Sequence, residues 1–260
     1  MRTPGCLIFV QGGPVALSSN SLIHFTSSID SLLGILEGGF KLKYCREEFS
    51  LIGSDEVLHV PMVSFCDIPF SQVVNHIERY GCYGIGLSKE WAVRNRLNPV
   101  LYVQDNSLLA NSYYSLMTFL HDKETKGEID EEPRRLGVDI VRYIKNYEGM
   151  LKRRDLEPEL YRFSDEREWR YVPPYSDSYN SVYLTEAFEK ETAARANRRL
   201  NGLRLKFDAN DINYIVIDND TEIAMVADHM NKTKSDKYTL SQAQRIMTRI
   251  ITYDQICGDF

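Results

Sequence analysis

The chain has 260 residues, of which 43% are hydrophobic and 26% charged, and a formal net charge of −6. These proportions belong to a soluble globular protein with a sizeable core, and the acidic balance excludes a global field that draws it to nucleic acid or anionic lipid. No apolar run approaches the ~18–20 residues that span a bilayer, so the expectation is a cytoplasmic protein with no membrane partner.

Residues 1–20 read as an N-terminal extension, because the apolar run 6–10 is too short for a signal-peptide core. Residues 22–26 (LIHFT) read as a short strand, after which Ser27 or Ser28 caps a helix through Leu36 that Gly38 and Gly39 stop. Residues 58–68 form a strand in which Pro61 argues for an edge or a bulge. Pro69 opens a helix to Tyr80, with Val73, Val74 and Ile77 on one face and Gly81 at its end.

Residues 83–87 and 99–103 read as strands with a short helix over 90–96 between them. Helical spacing covers 107–120 and 134–147, with a charged, flexible connection over 121–133. A very polar helix over 184–201 leads to strands at 203–207 and 214–217. A helix over 221–230 is capped by Asp220 or Thr221, and a last helix over 240–249 runs into a strand at 250–253. This irregular alternation has no βαβ repeat, which predicts an α+β class: one domain over 1–260, with a mixed sheet and flanking helices.

The most informative stretch is 164–173 (SDEREWRYVP), where Glu166 and Glu168 precede a segment of strand character. In extended backbone, residues two apart share a face, so both carboxylates aim at one spot, interleaved with arginines. A spare carboxylate beside a pocket stabilises developing positive charge or takes up a proton. An enzymatic role ends if both acids are buried in ion pairs with neighbouring guanidinium groups, or if they lie many ångströms from the His24 ring with no hollow between.

His24 sits in an apolar strand with Thr26 on the same face, either as a satisfied core residue or as a hydrogen-bonding partner for a sugar hydroxyl. His59, His76, His121 and His229 read as structural or exposed. The glycines of 81–86 lack the strand–turn–helix context of a nucleotide loop and read as turn and close-packing positions. Among 16 tyrosines, Tyr80, Tyr83 and Tyr102 fall at ends of elements, where they read either as core and rim packing or as a flat wall that attracts a cationic heteroaromatic ring.

Five scattered cysteines form no CxxC pair and read as free thiols. No metal-ligand spacing appears, and a zinc set from Cys66, His76 and Cys82 has no recognisable pattern. Basic residues cluster at Lys152, Arg153 and Arg154, and at Arg195, Arg198, Arg199, Arg204 and Lys206, where they read as solvated faces or as contacts to a nucleic-acid backbone.

Segments 22–26, 61–69 (PMVSFCDIP), 80–91 (YGCYGIGLSKEW), 98–103 (NPVLYV), 165–173 (DEREWRYVP) and 211–230 resemble, in order, the AbiGi family of bacterial abortive-infection proteins. That resemblance places the chain in phage defence. An early His-x-Thr strand, a Ser-Phe strand before a Tyr-bearing helix and a late Glu-x-Glu are also similar to the NAD-dependent ADP-ribosyltransferase fold.

The second resemblance implies a split mixed sheet and a toxin that transfers ADP-ribose from NAD to RNA or protein. It also implies restraint by a cognate antitoxin, with a chaperone as a further partner. By it, His24 and Thr26 hold the adenosine side, Ser64 and Phe65 belong to the Ser-Phe strand, and Phe65, Tyr80 and Tyr83 wall the nicotinamide. Glu168 is then the catalytic group and Glu166 assists the acceptor. Phe65 stands where many such enzymes carry Tyr. The alternatives are a non-catalytic antitoxin or sensor, and an NAD glycohydrolase with water as acceptor.

Overall fold

The structure is a computed structural model that describes residues 19–51, 54–153, 156–233 and 238–259. The apolar run 6–10, Cys6 and Arg154 therefore lie outside the described residues, as do the side chains of Lys152 and Arg153.

The chain begins with β1 (Ser21–Thr26) and α1 (Ile29–Gly38), followed by β2 (Phe40–Lys41), β3 (Lys43–Leu51) and β4 (Ser54–Cys66). Next come α2 (Phe70–Tyr80), β5 (Tyr83–Ser88), α3 (Lys89–Arg94), β6 (Asn98–Pro99) and β7 (Leu101–Val103). Then follow α4 (Leu108–Thr125), α5 (Glu132–Val141), β8 (Ile144–Asn146), β9 (Gly149–Arg153), β10 (Leu156–Tyr161) and β11 (Glu168–Tyr171). The last third holds β12 (Tyr183–Leu184), α6 (Thr185–Glu191), α7 (Ala193–Arg198), β13 (Arg204–Leu205) and β14 (Ile212–Ile217). It ends with α8 (Ile223–Thr233), α9 (Leu240–Met247), β15 (Ile250–Thr252) and α10 (Tyr253–Asp259).

Among the described residues the main sheet runs β15-β14-β5-β1-β4-β11-β6, with β3 and β12 also paired to β4. The β14–β15 pair is parallel and its neighbours are antiparallel, so the sheet is mixed, as expected. The long strand β4 forks it. Residues 54–62 pair with β3, whereas 63–66 pair with β11 and Cys66 also meets Ile23 of β1.

Pro61 falls where β4 passes between its β12 partners at 58–59 and its β11 partners at 63–66, while pairing with β3 continues through it. The expected edge or bulge is instead this fork, a place where a missing donor is cheap.

Alternation along the central strands fills both faces. Leu22, Ile215 and Ile217 enter a core with α1 (Leu32, Leu36), α8 (Val226) and α9 (Ile246). Ile23, Phe25 and Val216 enter another with α2 (Val73, Ile77) and α10 (Ile256). A sheet buried on both sides keeps its register, because a one-residue slip would exchange the two apolar sets.

Ser28 caps α1 by accepting from the Ser31 N–H, and Gly39 ends it at φ 78°. On α2, Val73, His76, Ile77 and Tyr80 recur at helical spacing, which anchors the helix and turns His76 and Tyr80 to the same side. Gly81 then needs its lack of a side chain: at φ 109°, an added Cβ would lie 2.4 Å from the Thr26 carbonyl oxygen. The remaining glycines of 81–86 are close-packed, with an added Cβ at Gly84 only 3.0 Å from the Phe25 ring.

Several expectations fail on local detail. The connection is shorter than the expected 121–133, spanning 126–131, since α4 continues to Thr125 and α5 begins at Glu132. The expected helix over 134–147 stops at Val141, and 144–146 is strand β8 beside β7. The polar helix over 184–201 is broken at Thr192, whose φ of 69° no continuous helix contains. Residues 220–222 are a separate 3₁₀ turn capped by Asn219, not by Asp220 or Thr221. Strands β3, β9 and β10 and helix α10 had no counterpart in the sequence reading.

Candidate functional site

Three neighbouring strands and one helix bring the singled-out residues together. β1 supplies His24, the end of β4 supplies Ser64 and Phe65, β11 begins at Glu168, and α2 supplies Tyr80. All of them, with Glu166, line one cleft of about 570 Å³, a volume that suits a small-molecule ligand or an inserted side chain. Thr26 and Tyr83 do not line it. Tyr83 instead donates to Glu222, just before α8, at 2.8 Å.

The two carboxylates meet the cleft by a route other than the one expected. Glu166 closes a 3₁₀ turn over 163–166, Arg167 is left-handed at φ 45° and ψ 51°, and Glu168 starts the strand. The pair is therefore not two steps along extended backbone. The residues that do share a strand face are Glu168 and Arg170, and they bond to each other.

Glu168 is consequently not spare. It is 5% exposed, and its Oε1 accepts from Arg170 Nε at 2.5 Å while Oε2 lies 2.8 Å from Lys145 Nζ. Arg170, wholly buried, also donates to Glu47 at 2.8 Å and to the carbonyls of Arg142 and Ile144 at 3.0 and 3.4 Å. The Tyr102 hydroxyl accepts from the Glu168 backbone N–H at 2.8 Å. Glu166 accepts from the Tyr80 hydroxyl and lies 3.4 Å from Lys145.

Burial alone would raise the Glu168 pKa, but Arg170 and then Lys145 overcome it and hold the carboxyl at about 2. Glu166 goes the other way: burial raises it, and Lys145 and Tyr80 only partly offset that. Lys145 is pushed down by burial and pulled up further by Glu168, Glu47 and Glu166, so it keeps its proton.

His24 lines the same cleft, with Nδ1 2.8 Å from the Ser64 carbonyl oxygen and its ring 5.2 and 5.7 Å from those of Phe40 and Phe65. Burial lowers its pKa, the Ser64 bond acts against that, and Lys43 adds to the lowering. Phe65 is also a core residue, edge-on to Trp91 at 5.3 Å. It belongs as much to the core behind the cleft as to its wall.

Sequence reasoning missed Glu47, Lys145, Phe163 and His76, all of which line the cleft. His76 had been read as structural or exposed. It is buried and stacked on Tyr80, with ring centroids 4.2 Å apart, and their four-residue spacing on a helix was the available signal. Lys145 fell inside an expected helix and Glu47 in a stretch without pattern.

Cys45, Cys66, Cys82 and Cys257 are free thiols, and among the described residues no group of three or more His, Cys, Asp or Glu gathers as a metal set would. Among the arginines of the basic cluster at 195–206, Arg195 and Arg199 pair with Glu191, and Arg204 bonds backbone carbonyls. None of that cluster lines the cleft. Among the described residues, no helix is long and apolar enough to cross a membrane.

The family model described as "Putative abortive phage resistance protein AbiGi, antitoxin" matches residues 39–218, a span that contains β4, α2 and the whole Glu166–Arg170 turn. The abortive phage resistance protein AbiGi of Lactococcus lactis subsp. cremoris is 27% identical over 223 residues, covering 78% of this chain and 89% of that protein. No solved structure matches the chain. On the extent of the family match, the chain belongs to the AbiGi family of abortive phage resistance proteins.

Proposed function

We propose that the chain serves phage resistance by binding, as an antitoxin- or sensor-type component whose cleft holds a ligand or partner group without turning it over. The observation that carries this reading is the state of Glu168. Both its oxygens are engaged by cations, the wholly buried Arg170 and the largely covered Lys145, so the group best placed to stabilise a developing charge is already neutralised. The family description, which reads antitoxin, supports the same conclusion.

The test is incubation of the purified chain with labelled NAD and cell lysate. The expected result is no label on macromolecules and no free ADP-ribose, together with tight association with a protein encoded beside it. Labelled RNA or protein would overturn the reading in favour of transfer, and free ADP-ribose in favour of a glycohydrolase.

One observation favours a second reading, an NAD-dependent ADP-ribosyltransferase toxin. The adjacent strands β1, β4 and β11 carry His24, Ser64–Phe65 and Glu168 to one hollow beside Tyr80 and Glu166, the grouping that the motifs imply for such enzymes. NAD would supply the ADP-ribose. Cleavage of its nicotinamide–ribose bond builds cationic character that a carboxylate stabilises. Here Glu168 would first have to exchange Arg170 or Lys145 for that charge. Expression in a host lacking the neighbouring genes separates the readings: the binding reading expects harmless wild type, and the transferase reading expects toxicity that Glu168→Gln relieves.

A further inference from the structure

The charges that floor the cleft do not cancel. Glu47, Glu166 and Glu168 are buried or nearly so, and among the described residues the cations paired with them are the largely covered Lys145 and the buried Arg170. Arg46 and Glu48 also line the cleft but pair with each other, with side chains 54% and 37% exposed. Burial holds His24 toward its neutral form. Among the described side chains the floor is thus one negative charge in excess, and an uncompensated buried charge is costly.

The deficit is sited at Glu166. Arg170 is committed to Glu47 and Glu168, and Lys145 lies 2.8 Å from Glu168 but 3.4 Å from Glu166. The Tyr80 hydroxyl reaches Glu166 but brings no charge. Around it stand the rings of Tyr80, His76 and Phe163, and the Phe163 face already carries Lys145 Nζ 5.0 Å from its centroid. Aromatic faces beside a carboxylate are the surroundings that stabilise an organic cation, whereas a phosphate there would meet charge of its own sign.

We propose that the cleft takes a ligand group bearing one positive charge, a guanidinium or an ammonium, seated against Glu166 and the rings of Tyr80 and Phe163, with Lys145 as its internal competitor. This rests on the reading of the cleft as a binding site and names what it binds. The Glu166 carboxyl, raised by burial, would fall towards its ordinary value as the cation seats, so binding would release protons near the acid end of the pH range.

The experiment is an NMR titration of the full chain with methylguanidinium, with ethylammonium, and with ADP as the anionic counterpart. The cations are expected to shift the Tyr80 and Phe163 resonances saturably and to bind more tightly than ADP. Glu166→Gln should weaken the cations about tenfold or more, as loss of a charge-assisted contact does. Lys145→Met should tighten them a few-fold.

Tighter binding of ADP, or cation binding unchanged in Glu166→Gln, overturns the proposal. If Glu166→Gln does not fold, Lys145→Met decides alone, and weaker cation binding there is the overturning result. Comparing free arginine with a Gly-Arg-Gly peptide assigns the source: tighter binding of the peptide points to a partner's side chain, and the reverse to a small molecule. Turnover of labelled NAD would remove the binding reading itself, whereas no turnover with no cation binding removes only this inference.

Discussion

Arg170 gives hydrogen bonds to two carboxylates and two backbone carbonyls from a position with no solvent access. Replacing it with Met would leave Glu168 and Glu47 without their shared cation, and breaking a buried pair in this way costs about 3–5 kcal/mol. Urea unfolding of Arg170→Met should show a loss of that size, and a change below ~1 kcal/mol would mean that the network is no stronger than a surface pair. Arg170→Lys should recover little of it, because an ammonium cannot fork between two acceptors.

At this scale, the Glu-rich stretch put Glu166 and Glu168 in view, whereas His24 was a weak signal until the motif resemblance singled it out. Each is an ionisable group beside strand-forming residues, and each does line the cleft. Lys145 and Glu47 were not legible, because a single charge in a polar stretch looks solvated until tertiary structure closes over it. The arginine two residues after Glu168 was in plain view. Applied to Glu168 and Arg170, the alternation rule would have paired them.

Among the elements, the α2–β5 junction depends on Gly81. An alanine there would combine a strained positive φ with a Cβ driven into the Thr26 carbonyl, a defect of about 1–3 kcal/mol or more. In a thermal melt, Gly81→Ala should lower Tm by roughly 2–4 °C for each kcal/mol lost. An unchanged Tm would show that the junction relaxes freely. The same substitution at Gly38, where an added Cβ meets nothing within 4 Å, is the control and should be neutral or stabilising.

Elements with strong punctuation were readable: a Ser cap and a double glycine bound α1, and Pro69 and Gly81 bound α2. β3, β9 and β10 were not, because their charged residues interrupt the apolar alternation that marks a strand. The break at Thr192 was hidden for a related reason. A polar helix has few apolar positions whose phase could reveal that α6 and α7 do not run on.

For the whole molecule, the buried network joins segments far apart in sequence: β3 through Glu47, β8 through Lys145 and β11 through Glu168 and Arg170. Its contribution to stability has a pH signature. The folded Glu168 carboxyl sits near 2, below its unfolded value of about 4.3, so its contribution is full above the unfolded value and is lost as pH falls through the folded one. Lys145 is raised, so its contribution holds below an unfolded value of ~10.4 and fades only in strong alkali.

Glu166, raised by burial, acts with the opposite sign and gains from protonation. Urea midpoints should therefore decline as pH is lowered from about 4.5 towards 2, and Glu168→Gln should flatten that decline. Replacing Glu166 with Gln should instead remove a gain in stability that appears at higher pH, as pH falls from the raised folded value towards the unfolded ~4.3. Equal pH profiles for all three proteins would contradict the charge assignments.

The bond between His24 and Ser64 fixes more than a ring position. A carbonyl oxygen can only accept, so the proton of the neutral imidazole must reside on Nδ1, and Nε2 is left holding a lone pair. Any hydrogen-bonding group that approaches that nitrogen must bring a hydrogen of its own. Hydroxyls and amides qualify, whereas ethers, esters and deprotonated oxygens are turned away by a tautomer set forty residues along the chain.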